Sequence, residues 1–135
     1  MKKMLLILTI AMGLASISFT VIRFQEKKPW PVPEASKKMK SAVASSAESI
    51  AEGKTLYATH CKSCHGAKGL GDGSKSAQLK TEPGDFSKAD FQAQTDGAIF
   101  YKTSEGRDDM PSFKKKIPEA DDRWNIVNFL RTLKK

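Results

Sequence analysis

An all-α fold is predicted by three observations. No segment alternates apolar and polar residues as a half-buried strand does. Three segments carry helix caps together with apolar residues at helical spacing. The stretches between them are broken by glycine and proline, with no internal repeat or low-complexity tract.

The first helix is expected from a Ser45 cap to about His60, with Ser45 and Glu48 forming a capping box. Ile50, Gly53, Tyr57 and Cys61 share one face of it. Glycine inside a helix costs about 1 kcal/mol against alanine. Gly53 is therefore either tolerated or placed to let another helix approach closely. The second helix is expected over Asp96 to Thr103, capped by Thr95 and ended by Gly106. The third is expected over about Pro118 to Leu133. Proline suits its first turn, Asp121 and Asp122 suit its positive end, and Arg131 and Lys134 suit its negative end. Its apolar stripe is Trp124, Val127 and Leu130, joined by Ile126 and Leu133. Residues 66–92 are loop-rich, with four glycines in GAKGLGDG and a turn at Pro83-Gly84-Asp85.

Composition divides the chain into three regions. Residues 1–22 hold Lys2 and Lys3 and then an uncharged run from Met4 to Ile22. As a helix that run is about 28 Å long, close to the hydrocarbon thickness of a bilayer. It reads as an uncleaved anchor; a signal peptide cut after the small residues near Ala15 or Ser18 is the alternative. Residues 23–44, with Pro29, Pro31 and Pro33, read either as a Pro/Lys-rich tether or as an extension packed on the domain. Residues 45–135 form the globular domain. The chain's net charge of +8 divides as +2, +2 and +4 over residues 1–22, 23–52 and 53–135. That modest, unpatterned excess on the domain argues against nucleic acid as a partner.

Two cysteines exclude a disulfide scaffold, a four-cysteine zinc site and a four-thiolate iron–sulfur cluster. About 90 residues with three helices and long glycine loops bury only a thin core, and such domains generally need a staple. The sequence offers one in Cys61-Lys62-Ser63-Cys64-His65. C-x-x-C-H is the attachment signature of c-type haem. One helical turn holds two thiols on the same side, where they can add to two vinyl groups of one porphyrin, and the next residue offers an imidazole to the iron. A redox dithiol would need a preceding strand, where a helix is expected, and a zinc site would need a second pair of ligands.

A second axial ligand is sought among the remaining soft side chains. His60 adjoins the motif and would have to reach the far side of the ring. Met1, Met4, Met12 and Met39 lie outside the domain, which leaves Met110. A thioether suits low-spin iron and raises its potential. With both axial positions filled, electron transfer is favoured over small-molecule catalysis, so no enzymatic activity or small-molecule substrate is expected.

The chain from about Ser46 to Leu133 resembles the class I cytochrome c family of bacterial monohaem proteins. The resemblance rests on Gly53 and Tyr57, on C-K-S-C-H-G from Cys61 to Gly66, on D-M-P-S-F from Asp109 to Phe113, and on W-x-I-V-x-F-L-R-T-L from Trp124 to Leu133. It implies a small cytochrome c fold, with three main helices and loops wrapped around one haem, here preceded by the N-terminal apolar helix. It implies that Gly53 meets the last helix near Tyr57, Trp124 and Phe129. It also implies a proline carbonyl orienting the proximal histidine, for which Pro83 is the candidate, and haem attachment outside the inner membrane. The expected function is a single-electron carrier between respiratory or periplasmic partners, the alternative a cytochrome subunit of a larger oxidoreductase complex. The expected place is the periplasmic side of the inner membrane, anchored there or released after signal cleavage. Lys114, Lys115 and Lys116 beside the Met110 loop are either a docking face for acidic redox partners or an ordinary solvated face.

Overall fold

The computed structural model describes residues 29–135. The segment read as anchor or signal, 1–22, lies outside the described residues. Among those described, no helix is long and apolar enough to cross a membrane. Residues 31–135 form one compact unit. Its helices are α1 (Glu34–Lys37), α2 (Ala47–His60), α3 (Lys62–His65), α4 (Ala89–Gln92), α5 (Asp96–Glu105) and α6 (Ala120–Arg131), with a 3-10 turn at Ser76–Gln78. No strand occurs among the described residues; one isolated bridge pairs Arg107 with Met110. The fold is all-α, as expected.

The three main helices stand close to where the sequence places them, with shifts at four ends, including α6 ending at Arg131 rather than Leu133. α2 is capped by Ser46 rather than Ser45. The Ser46 hydroxyl accepts from the Ser49 amide at 3.1 Å, and the Ser49 hydroxyl accepts from the Ser46 amide at 3.3 Å. Ser49 also accepts a 3.0 Å bond from Asn128 Nδ2 of α6, so the capping partner of Ser46 faces the core. Glu48 is exposed and sits in the first turn, where a negative charge meets the positive end of the helix. α5 is capped by the Thr95 hydroxyl on the Ala98 amide at 3.2 Å, ends at Gly106 with φ 69°, and runs two residues past Thr103.

α6 begins at Ala120, so Pro118 stands before the helix rather than in its first turn. The reason is Arg123. Its side chain is buried and donates to the carbonyls of Ile117 and Pro118 and to the Ser104 hydroxyl. Both carbonyls are thereby turned to the arginine, and the 113–118 loop is drawn over α5. The guanidinium lies 5.4 Å from the Phe100 ring centre, and Phe100 stacks on Trp124 at 4.1 Å.

The core sits between α2, α5 and α6. It holds Tyr57, Ile99, Phe100, Phe113, Ile117, Trp124, Ile126, Val127, Phe129 and Leu130. The predicted stripe of α6 and the predicted face of α2 both point into it, with Ile50 and Cys61 half-buried at its margin. Gly53 is where the two helices meet. A Cβ there would lie 1.9 Å from the Asn125 carbonyl oxygen and 2.4 Å from its carbon. That is main chain against main chain, and it decides between the two readings of Gly53 in favour of close approach.

In the stretch that reads as tether or extension, α1 packs on α5. A Cβ on Gly97 would lie 2.1 Å from the Ser36 carbonyl oxygen. Ala44 is held by a 3.4 Å bond from Asn128 Nδ2. Residues 34–44 therefore lie on the domain.

Replacing Gly53 by alanine forces two backbones apart, and no rotamer relieves the clash. G53A should lower the holoprotein's unfolding free energy by about 2–3 kcal/mol, read from guanidinium titration. A change within experimental error would mean that the helices can separate freely at this point.

Candidate haem site

The motif occupies the junction of α2 and α3. Cys61 ends α2 with its amide on the Tyr57 carbonyl at 2.9 Å, and its own carbonyl accepts from the amides of Cys64 (3.1 Å) and His65 (2.9 Å). One turn of helix therefore carries both thiols and the imidazole. Both cysteines are free and half-buried. Burial, with Cys64 nearby as the lesser cause, pushes the Cys61 thiol up to about 12.

His65 stacks on Phe86, with ring centres 4.5 Å apart and planes 27° apart. Burial pulls its pKa down to about 4, while the Pro83 carbonyl acts in the opposite sense. At neutral pH the ring is uncharged and has a lone pair to give. Nδ1 is buried and makes no hydrogen bond of normal geometry, so the Pro83 carbonyl faces the ring without closing that bond. Pro83 thus lies beside the histidine, where the resemblance looked for a proline carbonyl.

The glycine-rich loop after the motif is built on the motif's own backbone. The Ser63 carbonyl accepts from the Lys75 amide at 2.8 Å, Cys64 from Gly73 at 3.2 Å, and His65 from Gly71 at 2.9 Å. The Gly66 carbonyl accepts from the Tyr57 hydroxyl at 2.6 Å. With Lys62 accepting from the Gly66 amide, every carbonyl from Cys61 to Gly66 has a donor. A Cβ on Gly73 would lie 2.4 Å from the Ser63 carbonyl oxygen, so the loop can return this closely only as glycine. Burial holds the Tyr57 phenol well above its ordinary range, which keeps it a donor.

Phe86 is positioned from three sides. Its amide donates to the Gly69 carbonyl at 2.7 Å, and its carbonyl accepts from Gln92 Nε2 at 2.8 Å. Its ring meets Phe91 at 4.5 Å. Gln92 also donates to the Leu130 carbonyl at 3.0 Å, which ties α4 to α6. Arg131 completes the tie, with bonds to the Gln92 carbonyl at 2.9 Å and to Asp96 at 2.7 Å. Sequence reasoning missed Phe86, Gln92 and α4. The nearest signal was the apolar pair Phe86 and Phe91 inside a loop otherwise poor in apolar residues.

Met110 ends a tight hairpin. Arg107 and Met110 exchange both backbone bonds, at 2.8 and 2.9 Å, around Asp108 with φ 52°. Gly106 allows the return, since a Cβ there would sit 2.4 Å from the Met110 carbonyl oxygen. Met110 is half-buried against the same core cluster as Cys61 and Phe86. Lys114, Lys115 and Lys116 are exposed just beyond. Lys114 pairs with Glu105 at 2.5 Å, and Lys116 Nζ lies 6.0 Å from the Phe113 ring centre.

These residues fit a covalently held haem: two free thiols on one turn, an adjacent neutral imidazole with a buried unpartnered nitrogen, and a thioether on the same core. Among the described residues, no group of three His, Cys, Asp or Glu side chains forms a metal-binding cluster, as a structural zinc site would need. No strand precedes the motif among them, as a thioredoxin-type dithiol would need.

The family model for cytochrome c matches residues 50–134. The chain belongs to the cytochrome c family. Its fold is similar to a chain of the Kuenenia stuttgartiensis reducing HAO-like protein complex Kustc0457/Kustc0458, at 24% identity and a TM-score of 0.65. That likeness covers 83% of this cytochrome and 54% of the other protein, so this chain spans about half its length. It is also similar to the KustC0563 c-type cytochrome, at 32% identity and a TM-score of 0.55, covering 62% of this chain and 98% of that one. Among curated proteins none matches. A cytochrome c domain binds haem c covalently and transfers electrons.

The protein core is thin on the motif's side, where Cys61, Phe86 and Met110 are only half-buried. A C61A/C64A double variant, which cannot attach haem, should therefore lose its native-like helical circular dichroism. Full retention of that signal would show that the polypeptide alone sustains the fold.

Proposed function

We propose that this cytochrome carries one haem c, bound through thioethers at Cys61 and Cys64 and ligated at iron by His65 and Met110. It passes single electrons between respiratory or periplasmic partners. The observation that carries this reading is the turn 61–65, which sets two free thiols and a half-buried, uncharged imidazole against one core. When bound, haem iron supplies one-electron redox chemistry between its ferric and ferrous states. The chain's residues do the rest. His65 stays neutral, stacks on Phe86 and has the Pro83 carbonyl beside it, which suits Pro83 to orienting the ring. Met110 is delivered by a hairpin tightened on both sides by backbone bonds. With both axial positions taken by side chains, the site has no open position for a substrate, and the protein is read as non-catalytic.

The test is an intact mass with oxidised and reduced visible spectra, on membrane and soluble fractions from cells with a working c-type maturation system. The expected result is the chain mass plus one haem and a low-spin spectrum. The oxidised protein should show the weak far-red band of sulfur-ligated iron. A bare polypeptide mass would overturn haem attachment. A high-spin spectrum without the far-red band would overturn Met110 ligation and reopen the iron to small molecules. Colour in the membrane fraction would support the anchor reading of residues 1–22 on the periplasmic side of the inner membrane. Colour in the soluble fraction would support a cleaved signal.

A second reading makes the chain a cytochrome subunit of a larger membrane or periplasmic oxidoreductase complex. It is supported by the likeness to a chain of the HAO-like complex, which extends beyond residues 50–134. Copurification in mild detergent separates a subunit from a free carrier.

Lys115 and Lys116, with Lys114 partly neutralised by Glu105, make a basic face beside the Met110 hairpin suited to acidic partners. Reversing all three charges should slow electron exchange with an acidic partner by about tenfold at low salt, and flatten the salt dependence. Unchanged rates would leave the cluster as a solvated face.

A further inference from the structure

The Met110 hairpin is fastened at its base and reaches outward at its tip. At the base, Ser112 Oγ donates to the Ser104 carbonyl at 2.7 Å, Lys114 pairs with Glu105, and Phe113 is buried in the core. At the tip, Asp108 and Asp109 are exposed, and Asp108 holds a φ of 52°, a region costly for a residue with a side chain. From that tip Asp109 Oδ2 accepts a 2.7 Å hydrogen bond from the backbone amide of Lys80, 29 residues earlier. Lys80 lies between the 3-10 turn at Ser76–Gln78 and Pro83, whose carbonyl faces His65.

This bond joins two segments that do opposite jobs. One carries the carbonyl beside the histidine; the other carries the methionine. Nothing in the local sequence brings them together, since the bond spans the α4 and α5 region. The acceptor is a side-chain carboxylate and the donor is main chain, so the Asp109 side chain tethers its hairpin to the Lys80 backbone with a charge-assisted bond. Its residue is the immediate neighbour of Met110, so a displacement of Asp109 is passed directly to the methionine backbone.

We propose that Asp109 is a positioning residue, clasping the Met110 hairpin to the 79–83 segment and so limiting how often the sulfur leaves the iron. This rests on the reading of Met110 as an axial ligand. Opening of the clasp is the motion by which an external ligand would gain the iron. Asparagine at 109 keeps an acceptor oxygen for the Lys80 amide; alanine removes it.

The test uses the oxidised holoprotein with imidazole as the probe, and tracks loss of the far-red sulfur–iron band. D109A should let imidazole displace the sulfur roughly three- to tenfold faster than the unaltered protein, the scale of one lost, solvent-exposed hydrogen bond. D109N, which keeps a neutral acceptor, should fall between the unaltered protein and D109A. Displacement in D109A at the unaltered rate overturns the proposal, as does D109N behaving like D109A, because the acceptor would then not be what matters. M110A, which should lack the band at the outset, separates loss of the clasp from loss of the ligand. If the unaltered protein and M110A give the same spectrum, Met110 is not the ligand, and the clasp falls with it.

Discussion

The contact on which the structure depends is the crossing of α2 and α6 at Gly53. The Asn125 carbonyl occupies the space where any side chain at 53 would begin. Because the two backbones touch, Tyr57 one turn further along α2 is brought to Phe129, with ring centres 5.1 Å apart. The Tyr57 hydroxyl then reaches the Gly66 carbonyl just past the histidine. A helix-to-helix approach is thereby converted, through one phenol, into a constraint on the haem-binding turn. The loss of helix propensity at Gly53 is small beside the packing that depends on it.

The haem-binding turn is also held by the loop on its C-terminal side. A four-residue helix has too few internal bonds to be stable alone. Here the loop from Gly66 to Lys75 supplies donors to the carbonyls that the helix leaves open. Glycines stand where the return passes closest. The same loop reaches Phe86 through Gly69, and Phe86 supports the imidazole. The short α4, α6 and Arg131 fasten that support from outside. The site is thus an organised piece of backbone, held from both sides of the Cys61–His65 turn.

Function derives from that arrangement more than from the charge on the chain. A neutral, half-buried imidazole and a thioether on the same core are side chains suited to the iron of a haem. The exposed lysines sit near the Met110 hairpin but do not build it; Lys114 is already engaged by Glu105. The exposed lysines and the Met110 hairpin are therefore adjacent and structurally separable.

The Cys-x-x-Cys-His spacing, the Thr95 cap, the glycine after α5 and the apolar stripe of α6 were legible in the sequence because each is a local relation, with residues that determine one another lying within a turn or two. The α2 cap was misplaced by one residue because Ser45 and Ser46 are locally equivalent, and the choice was made by Asn128, 79 positions away from Ser49. Pro118 stayed outside α6 because a buried arginine needed its carbonyl. The supports of Phe86, the packing of α1 on Gly97 and the bond from Lys80 to Asp109 left no pattern, because they join residues far apart in the chain. The sequence by itself determined which chemistry the protein carries and which segments are helical. Only the tertiary structure decided how the Cys61–His65 turn and the Met110 hairpin are braced, since distant backbones meet only when the chain has folded.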